Sequence, residues 1–175
     1  KLGLPTSVAN SPATVNWPVS RNAWNRLGVG VYGGAVSTSQ NIDVEIYPAM
    51  TLRSSVLAVR SIPAGEGIGY GQTWVADKPS KIATVGIGYA DGYPRHCKNG
   101  TPVMIRGKRA YLAGRVSMDM ITIDVSHIEN VAVGDEVELW GQNVSIQEVA
   151  ANADTIDYEL MTRVSQRVPR IVKYL

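Results

Sequence analysis

The sequence predicts a mainly β fold: a β-barrel-like or sandwich-like domain over residues 41–175, preceded by a mixed α/β segment over residues 1–40. Three observations carry this. From Asp43 onward short apolar runs recur, some of them alternating, as in Met120-Ile121-Thr122-Ile123-Asp124-Val125. Glycine-containing turns separate the runs, and many short strands joined in this way form small barrels or sandwiches. The first forty residues differ in texture, with a helix-start signature and the glycines Gly28, Gly30, Gly33 and Gly34.

In chain order, Ser7-Val8-Ala9 is short and apolar. Asn10-Ser11-Pro12 predicts a helix start, with Ser11 as N-cap and Pro12 at the first helical position, where its missing N–H costs nothing. A second short helix is expected over residues 20–25. Strands are expected at residues 51–60, 82–87, 101–105, 109–112, 120–125 and 136–140, with Arg106-Gly107-Lys108 as a tight hairpin turn. Val133-Gly134-Asp135 turns into the last of these. Ile146, Val149 and Ala150 fall at helical spacing behind Ser145, a candidate N-cap with Glu148 three residues later. Residues 157–164 read either as a helix or as the approach to a final strand over residues 170–174.

Composition narrows the function. The chain has 175 residues, 45 % of them hydrophobic and 18 % charged, an ordinary globular mixture. A net charge of +2 with no dense basic run argues against nucleic acid as partner. No apolar run approaches the roughly 18–20 residues that span a bilayer. One cysteine, Cys97, excludes an internal disulfide and suits a reducing cytoplasm. The chain opens Lys-Leu-Gly-Leu-Pro rather than with Met, so it is expected to derive from something longer. Adjacent His96 and Cys97 with a solitary His127 give no metal-ligand spacing, and no Gly-x-Ser-x-Gly elbow marks a hydrolase.

Four clusters could carry chemistry. In Gly67-Ile68-Gly69-Tyr70-Gly71, the glycines permit a ligand or another chain to come close to Tyr70; the same pattern also suits a plain structural turn. Gly86-Ile87-Gly88-Tyr89-Ala90-Asp91-Gly92-Tyr93-Pro94-Arg95 is a strand running into a glycine-rich loop, either a binding loop or a tight turn. In Gly114-Arg115-Val116-Ser117-Met118-Asp119-Met120, Arg115 and Asp119 could equally form a simple surface pair. Ser11 with Arg26-Leu27-Gly28-Val29-Gly30 could hold a phosphate through backbone N–H groups, although Gly-Val-Gly is neither a Walker loop nor a full dinucleotide fingerprint.

Taken in order and at these spacings, the clusters resemble the bacterial alanine racemases. The likeness runs through Ala9-Asn10-Ser11, Arg26-Leu27-Gly28-Val29, Tyr32-Gly33, Gly69-Tyr70-Gly71, Gly88-Tyr89-Ala90-Asp91-Gly92, Gly114 to Asp119, Val133-Gly134-Asp135, Tyr158-Glu159-Leu160 and Arg167-Val168-Pro169-Arg170. The resemblance implies that residues 1–40 are the last elements of a (β/α)8 barrel that binds pyridoxal 5′-phosphate, and that residues 41–175 are the C-terminal β domain. It implies interconversion of L- and D-alanine, with D-alanine feeding cell-wall synthesis, by a cytoplasmic homodimer.

Racemisation takes the α-proton from one face and returns one to the other, so two bases are needed. In the family one is the lysine that holds the cofactor and the other is the tyrosine matching Tyr70, which completes the partner chain's site. A free tyrosine has a pKa of about 10 and is a poor base at neutral pH, so neighbouring cations must stabilise its phenolate. The resemblance further implies that Arg26 faces the cofactor's pyridine nitrogen, where a permanent positive charge disfavours protonation and limits side reactions. Ser11 with the backbone of Gly28 and Val29 matches the phosphate site, and the N–H of Met118 matches the contact to the substrate carboxylate. Tyr89, Arg95, Arg115 and Asp119 match the channel, with Tyr89 beside the catalytic tyrosine across the interface.

Two departures stand out. Where the family often has a tyrosine before Arg-Val-Pro-Arg, this chain has Gln166, which could admit a larger or more polar amino acid. None of Lys1, Lys78, Lys81, Lys98, Lys108 and Lys173 matches the cofactor-lysine motif, so the chain by itself is expected to be inactive. A serine or broad-specificity racemase and an isolated β interaction domain are the alternative readings. The barrel remnant is expected to expose apolar surface that favours association.

Overall fold

The computed structural model describes residues 3–34, 36 and 45–173, and the chain divides into two compact units, Lys1–Thr51 and Leu52–Leu175. In the first unit, strand β1 (Ser7–Asn10) runs directly into helix α1 (Ser11–Asn16). Its N-cap is Asn10 rather than the expected Ser11: Asn10 Oδ1 accepts the Ala13 N–H at 3.0 Å. Ser11 is buried instead, with its hydroxyl engaged by the N–H groups of Gly28 and Gly30, so it is not available to its own helix. The helix expected over residues 20–25 does not form. A 3-10 turn covers Pro18–Ser20, and strand β2 (Trp24–Arg26) pairs in parallel with β1. The Asn22 amide donates to the Ser20 carbonyl at 2.8 Å, a local bond that competes with helix propagation. Parallel neighbours linked through a helix are the step of a βαβ unit. Val8, Trp17, Trp24 and Val31 of this unit are exposed.

The second unit is a closed barrel. Its strands are β3 (Leu52–Ile62), β6 (Ser80–Val85), β7 (Pro102–Ile105), β8 (Lys108–Leu112), β9 (Ile121–Asp124) and β10 (Glu136–Trp140), in the order β10-β3-β6-β9-β8-β7 with β10 paired again to β7. The expected choice between sandwich and barrel thus resolves to a mainly β barrel. Alternation explains the strands: Ile121 and Ile123 are buried while Thr122 and Asp124 are half-exposed, and each buried Ile or Leu contributes about 2 kcal/mol. The β7–β8 hairpin closes on two residues, Arg106 (φ 50°) and Gly107 (φ 70°), with Ile105 paired to Lys108. Left-handed backbone at both positions suits the right-handed twist of the flanking strands. Closure leaves no free edge, which accounts for the absence, among the described residues 170–173, of the final strand expected over 170–174. Residues 170–173 are irregular, and Tyr174 lies outside the described residues.

Two short helices follow the last strand. Helix α2 (Ile146–Asn152) is capped by Ser145, whose Oγ accepts the Glu148 N–H at 3.4 Å, as the sequence suggests. Residues 157–164 resolve to helix α3 (Asp157–Arg163). A ribbon of β4 (Gly67–Ile68) and β5 (Trp74–Val75) stands over a satellite cluster of Ile62, Ile68, Ala76, Ile82 and Ala113. Among the described residues no helix is long and apolar enough to cross a membrane.

Cys97 is buried beside Tyr93, whose ring stacks on Trp140 with centroids 6.1 Å apart. Tyr93 Oη has no hydrogen bond of ordinary geometry, although the thiol is its electrostatic neighbour. Burial pushes the Cys97 thiol up to about 11, only partly opposed by the neighbouring Tyr93 and Thr101 hydroxyls. A raised thiol pKa favours the folded state below the unfolded value of about 9, and that contribution is lost as pH rises toward 11. The expected loss is about 3 kcal/mol, with the raised Tyr93 hydroxyl acting in the same direction. Urea midpoints should be level from pH 7 to 9 and fall by pH 10.5. A midpoint independent of pH over that range would contradict the burial argument.

Candidate active site

Tyr70 sits at the tip of the β4–β5 ribbon in a 3-10 turn, Tyr70–Gln72. Ile68, fully buried in the satellite cluster, anchors the turn, and Gly69 (φ 74°) and Gly71 (φ 71°) on either side take left-handed backbone. Gly69 is needed for space as well. A Cβ there would lie 3.0 Å from the Arg115 nitrogen, and one on Gly114 would lie 2.8 Å from the Ile68 carbonyl oxygen. The two loops therefore touch backbone to backbone, and Tyr70 is pushed outward, 73 % exposed. Tyr70, Arg60, Arg115, Ser117 and Met120 line an open groove of about 500 Å³. Arg60 pairs with Glu66 at 3.2 Å, whereas Arg115 has no partner among the described residues.

Tyr89 stands on a second glycine turn, Tyr89–Asp91, closed by Gly92 (φ 97°). This turn docks on the Ser117–Met120 loop: the Tyr89 N–H donates to the Ser117 carbonyl at 3.0 Å and the Ala90 N–H to that of Met118 at 2.9 Å. Asp91 is buried and works in three directions. Its Oδ2 accepts the Gly88 N–H at 2.8 Å, its Oδ1 accepts Arg167 Nε at 2.7 Å, and its carbonyl accepts the Ser165 N–H at 2.9 Å. Arg167 continues to Asp119 Oδ1 at 2.5 Å, and these two carboxylates hold its guanidinium charged, above the usual arginine range. Gln166, next to Arg167, is exposed.

The sequence-predicted residues of this unit fall in two places. Tyr70 and Arg115 share the open groove. Tyr89 and Arg95 share a cleft of about 550 Å³ with His96, Glu159 and Arg163, in which Glu159 and Arg163 pair at 2.7 Å. Met118 and Asp119, both exposed, lie on the loop after β8, which touches both glycine turns. Asp91 and Arg167 were not singled out as site residues; each lies inside a quoted motif, but nothing in the spacing links positions 76 apart.

In the first unit Arg26 and Ser11 organise a separate cluster. The Arg26 guanidinium donates to the Ser7 carbonyl at 2.7 Å and the Val8 carbonyl at 3.2 Å, so it lies along β1. Ser11 Oγ accepts the N–H of Gly28 at 2.8 Å and of Gly30 at 3.3 Å, ahead of the 3-10 turn Val29–Tyr32. A Cβ on Gly28 would meet nothing within 4 Å, and the Val29 N–H has no partner among the described residues. With the Gly28 and Gly30 N–H groups taken by Ser11 Oγ, the hydroxyl's own proton and the Val29 N–H, beside open space at Gly28, are the donors left to meet a phosphate.

Comparison with known proteins bears on this arrangement. The family model "Alanine racemase, C-terminal domain" matches residues 49–172. An alanine racemase of Alteromonas mediterranea is 88 % identical over 174 residues, 99 % of this chain and 49 % of that protein. The crystal structure of biosynthetic alanine racemase from Pseudomonas aeruginosa superposes with TM-score 0.90 at 44 % identity, covering 96 % of this chain and 47 % of that one. An alanine racemase from Bartonella henselae with covalently bound pyridoxal phosphate aligns at TM-score 0.86 and 31 % identity, over 96 % of this chain and 47 % of that one. The chain thus spans about half the length of the curated relatives it matches.

Proposed function

The chain belongs to the alanine racemase family, and from that premise we propose that it is the C-terminal part of a pyridoxal-phosphate-dependent racemase interconverting L- and D-alanine by a two-base mechanism. The observation that carries this reading is Tyr70, an acid–base side chain thrust into solvent on a turn whose Gly69 abuts the Arg115 backbone. A side chain so placed serves a substrate held by another surface, and a homodimer in which Tyr70 completes the partner's site provides one. Residues 1–40 are read as the last elements of the (β/α)8 barrel. The protein acts in the cytoplasm, and its D-alanine supplies the cell wall.

The residues of the first unit fit the cofactor. The Ser11 hydroxyl and the Val29 N–H would hold its phosphate, with the Gly28 N–H, bonded to Ser11 Oγ in this structure, joining them if it exchanges that bond for a phosphate oxygen. Arg26, already aligned along β1 by two carbonyls, would present positive charge to the pyridine nitrogen. When bound, the cofactor supplies an electron sink for the charge left on the substrate's α-carbon. Tyr70 removes or returns the α-proton on one face. Met118 offers its backbone N–H to the substrate carboxylate, and Tyr89, Arg95, Arg115 and Asp119 line the route inward.

The direct test is proton exchange. The full-length protein, loaded with cofactor and given L-alanine in D2O, should wash out the α-proton and accumulate D-alanine. A cofactor-loaded protein that leaves both enantiomers unchanged would overturn the proposal.

Gln166 supports a second reading, broader substrate range. Its side chain is exposed and polar where the family often has an aromatic ring. Gln166→Tyr should lower serine turnover relative to alanine by about tenfold, the worth of a single polar or packing contact in a pocket. An unchanged alanine-to-serine ratio would remove this idea.

A further inference from the structure

We propose that Arg167 is a positioning residue: by holding Asp91 and Asp119 together, it fixes the direction of the Met118 N–H that receives the substrate carboxylate. The inference rests on the racemase reading above and deepens it.

The peptide joining Ser117 to Met118 is planar and trans, so its carbonyl and its N–H point to opposite sides. The carbonyl accepts the Tyr89 N–H at 3.0 Å. The Met118 N–H must therefore face away from the Tyr89 turn, and it has no partner among the described residues, while Met118 itself is 53 % exposed. It is a donor aimed outward, with its direction set by what holds the other face of the same peptide.

That face is held by a chain of contacts leading to Arg167. The Tyr89 turn is closed by Asp91, through the bond from the Gly88 N–H to Asp91 Oδ2 at 2.8 Å. Asp91 is tied to Arg167, and Arg167 to Asp119, the residue that follows Met118. One guanidinium thus spans the two loops on either side of the peptide. A planar fork can meet two carboxylates at fixed angles, using Nε for one and a terminal nitrogen for the other. A lysine, with a single nitrogen, keeps the charge but cannot hold both carboxylates in that geometry.

A purely structural Arg167 and a positioning Arg167 make different predictions. Loss of folding lowers the active fraction, so kcat per total enzyme falls while KM is unchanged. Loss of donor direction weakens the carboxylate contact, so KM rises while kcat is largely kept. In the full-length holoenzyme, Arg167→Lys should raise KM for L-alanine about tenfold with kcat changed less than about threefold, since small misplacements of positioning groups cost such factors. The inhibition constant of propionate, which keeps the carboxylate and lacks the amino group, should rise in parallel. Asp119→Ala, at the exposed end of the bridge, should raise KM in the same way. The double variant should add nothing further, because both substitutions break one connection.

Three results would count against the inference. If wild-type enzyme exchanges no alanine proton, the racemase reading falls and this one with it. If the wild type is active but KM and the propionate constant are unchanged in both single variants, the positioning role alone is overturned. Independent, multiplicative effects of the two substitutions would overturn it likewise. Should Arg167→Lys fail to fold, Arg167→Gln takes its place in the same comparison with Asp119→Ala, and independent effects on KM would overturn the inference.

Discussion

Tyr70→Phe in the full-length holoenzyme is expected to cut racemisation by about 10²–10⁴-fold, the usual worth of a positioned acid–base group. The substitution removes one hydroxyl and nothing else. The ring is 73 % exposed and the turn is held by Gly69 against the Arg115 backbone, so neither fold nor cofactor absorbance should change. The loss should be one-sided in D2O. The enantiomer whose α-proton faces Tyr70 should stop exchanging, while the other continues to exchange through the base on the opposite face. A Tyr70→Phe enzyme that exchanges both enantiomers at the wild-type rate would remove Tyr70 from the mechanism. Mixed dimers test the crossing. Tyr70→Phe chains combined with chains lacking the cofactor lysine should regain about a quarter of wild-type activity: with random pairing half the dimers are mixed, and each mixed dimer has one intact site. No regain would mean that Tyr70 acts within its own chain.

What the sequence could and could not reveal follows from the range of the interactions involved. Strands, the Ser145 cap and the Arg106-Gly107 turn are legible because each is decided by neighbours a few residues away. The cap of α1 is ambiguous in the sequence because Asn10 and Ser11 are both good capping residues. The choice is made by a bond from Ser11 to Gly28, 17 positions on, which no local pattern encodes. The irregular backbone at residues 170–173 is a similar case, since whether a ladder edge is free depends on closure of the whole barrel. In the candidate site, the glycine loops bearing Tyr70, Tyr89 and Met118 were visible as motifs. Their distribution was not: Tyr70 and Arg115 line one groove, and Tyr89 and Arg95 another. Asp91 and Arg167 carry no spacing signal at all, yet they tie three loops together.

The glycine at position 88 should be costly to replace, for want of space alone. Its φ of −150° is open to any residue, so conformational freedom is not what selects it. Space is: a Cβ there would lie 2.4 Å from both the Ser117 and the Met118 carbonyl oxygens. These are backbone atoms accepting the Tyr89 and Ala90 N–H groups, and neither can withdraw without breaking its bond. Gly88→Ala must therefore either part the two loops or strain both, and a destabilisation of about 3 kcal/mol is expected, at the upper end for overpacking. Gly134→Ala is the matching control. Gly134 has φ +92° but nothing within 4 Å of a built Cβ, so only backbone strain applies, about 1 kcal/mol. Chemical denaturation of the two variants should separate them clearly, with the larger midpoint shift at Gly88. Equal shifts would mean that the loop contact yields without cost. The Ser117–Met118 peptide could then not be rigid enough to aim a donor at a substrate.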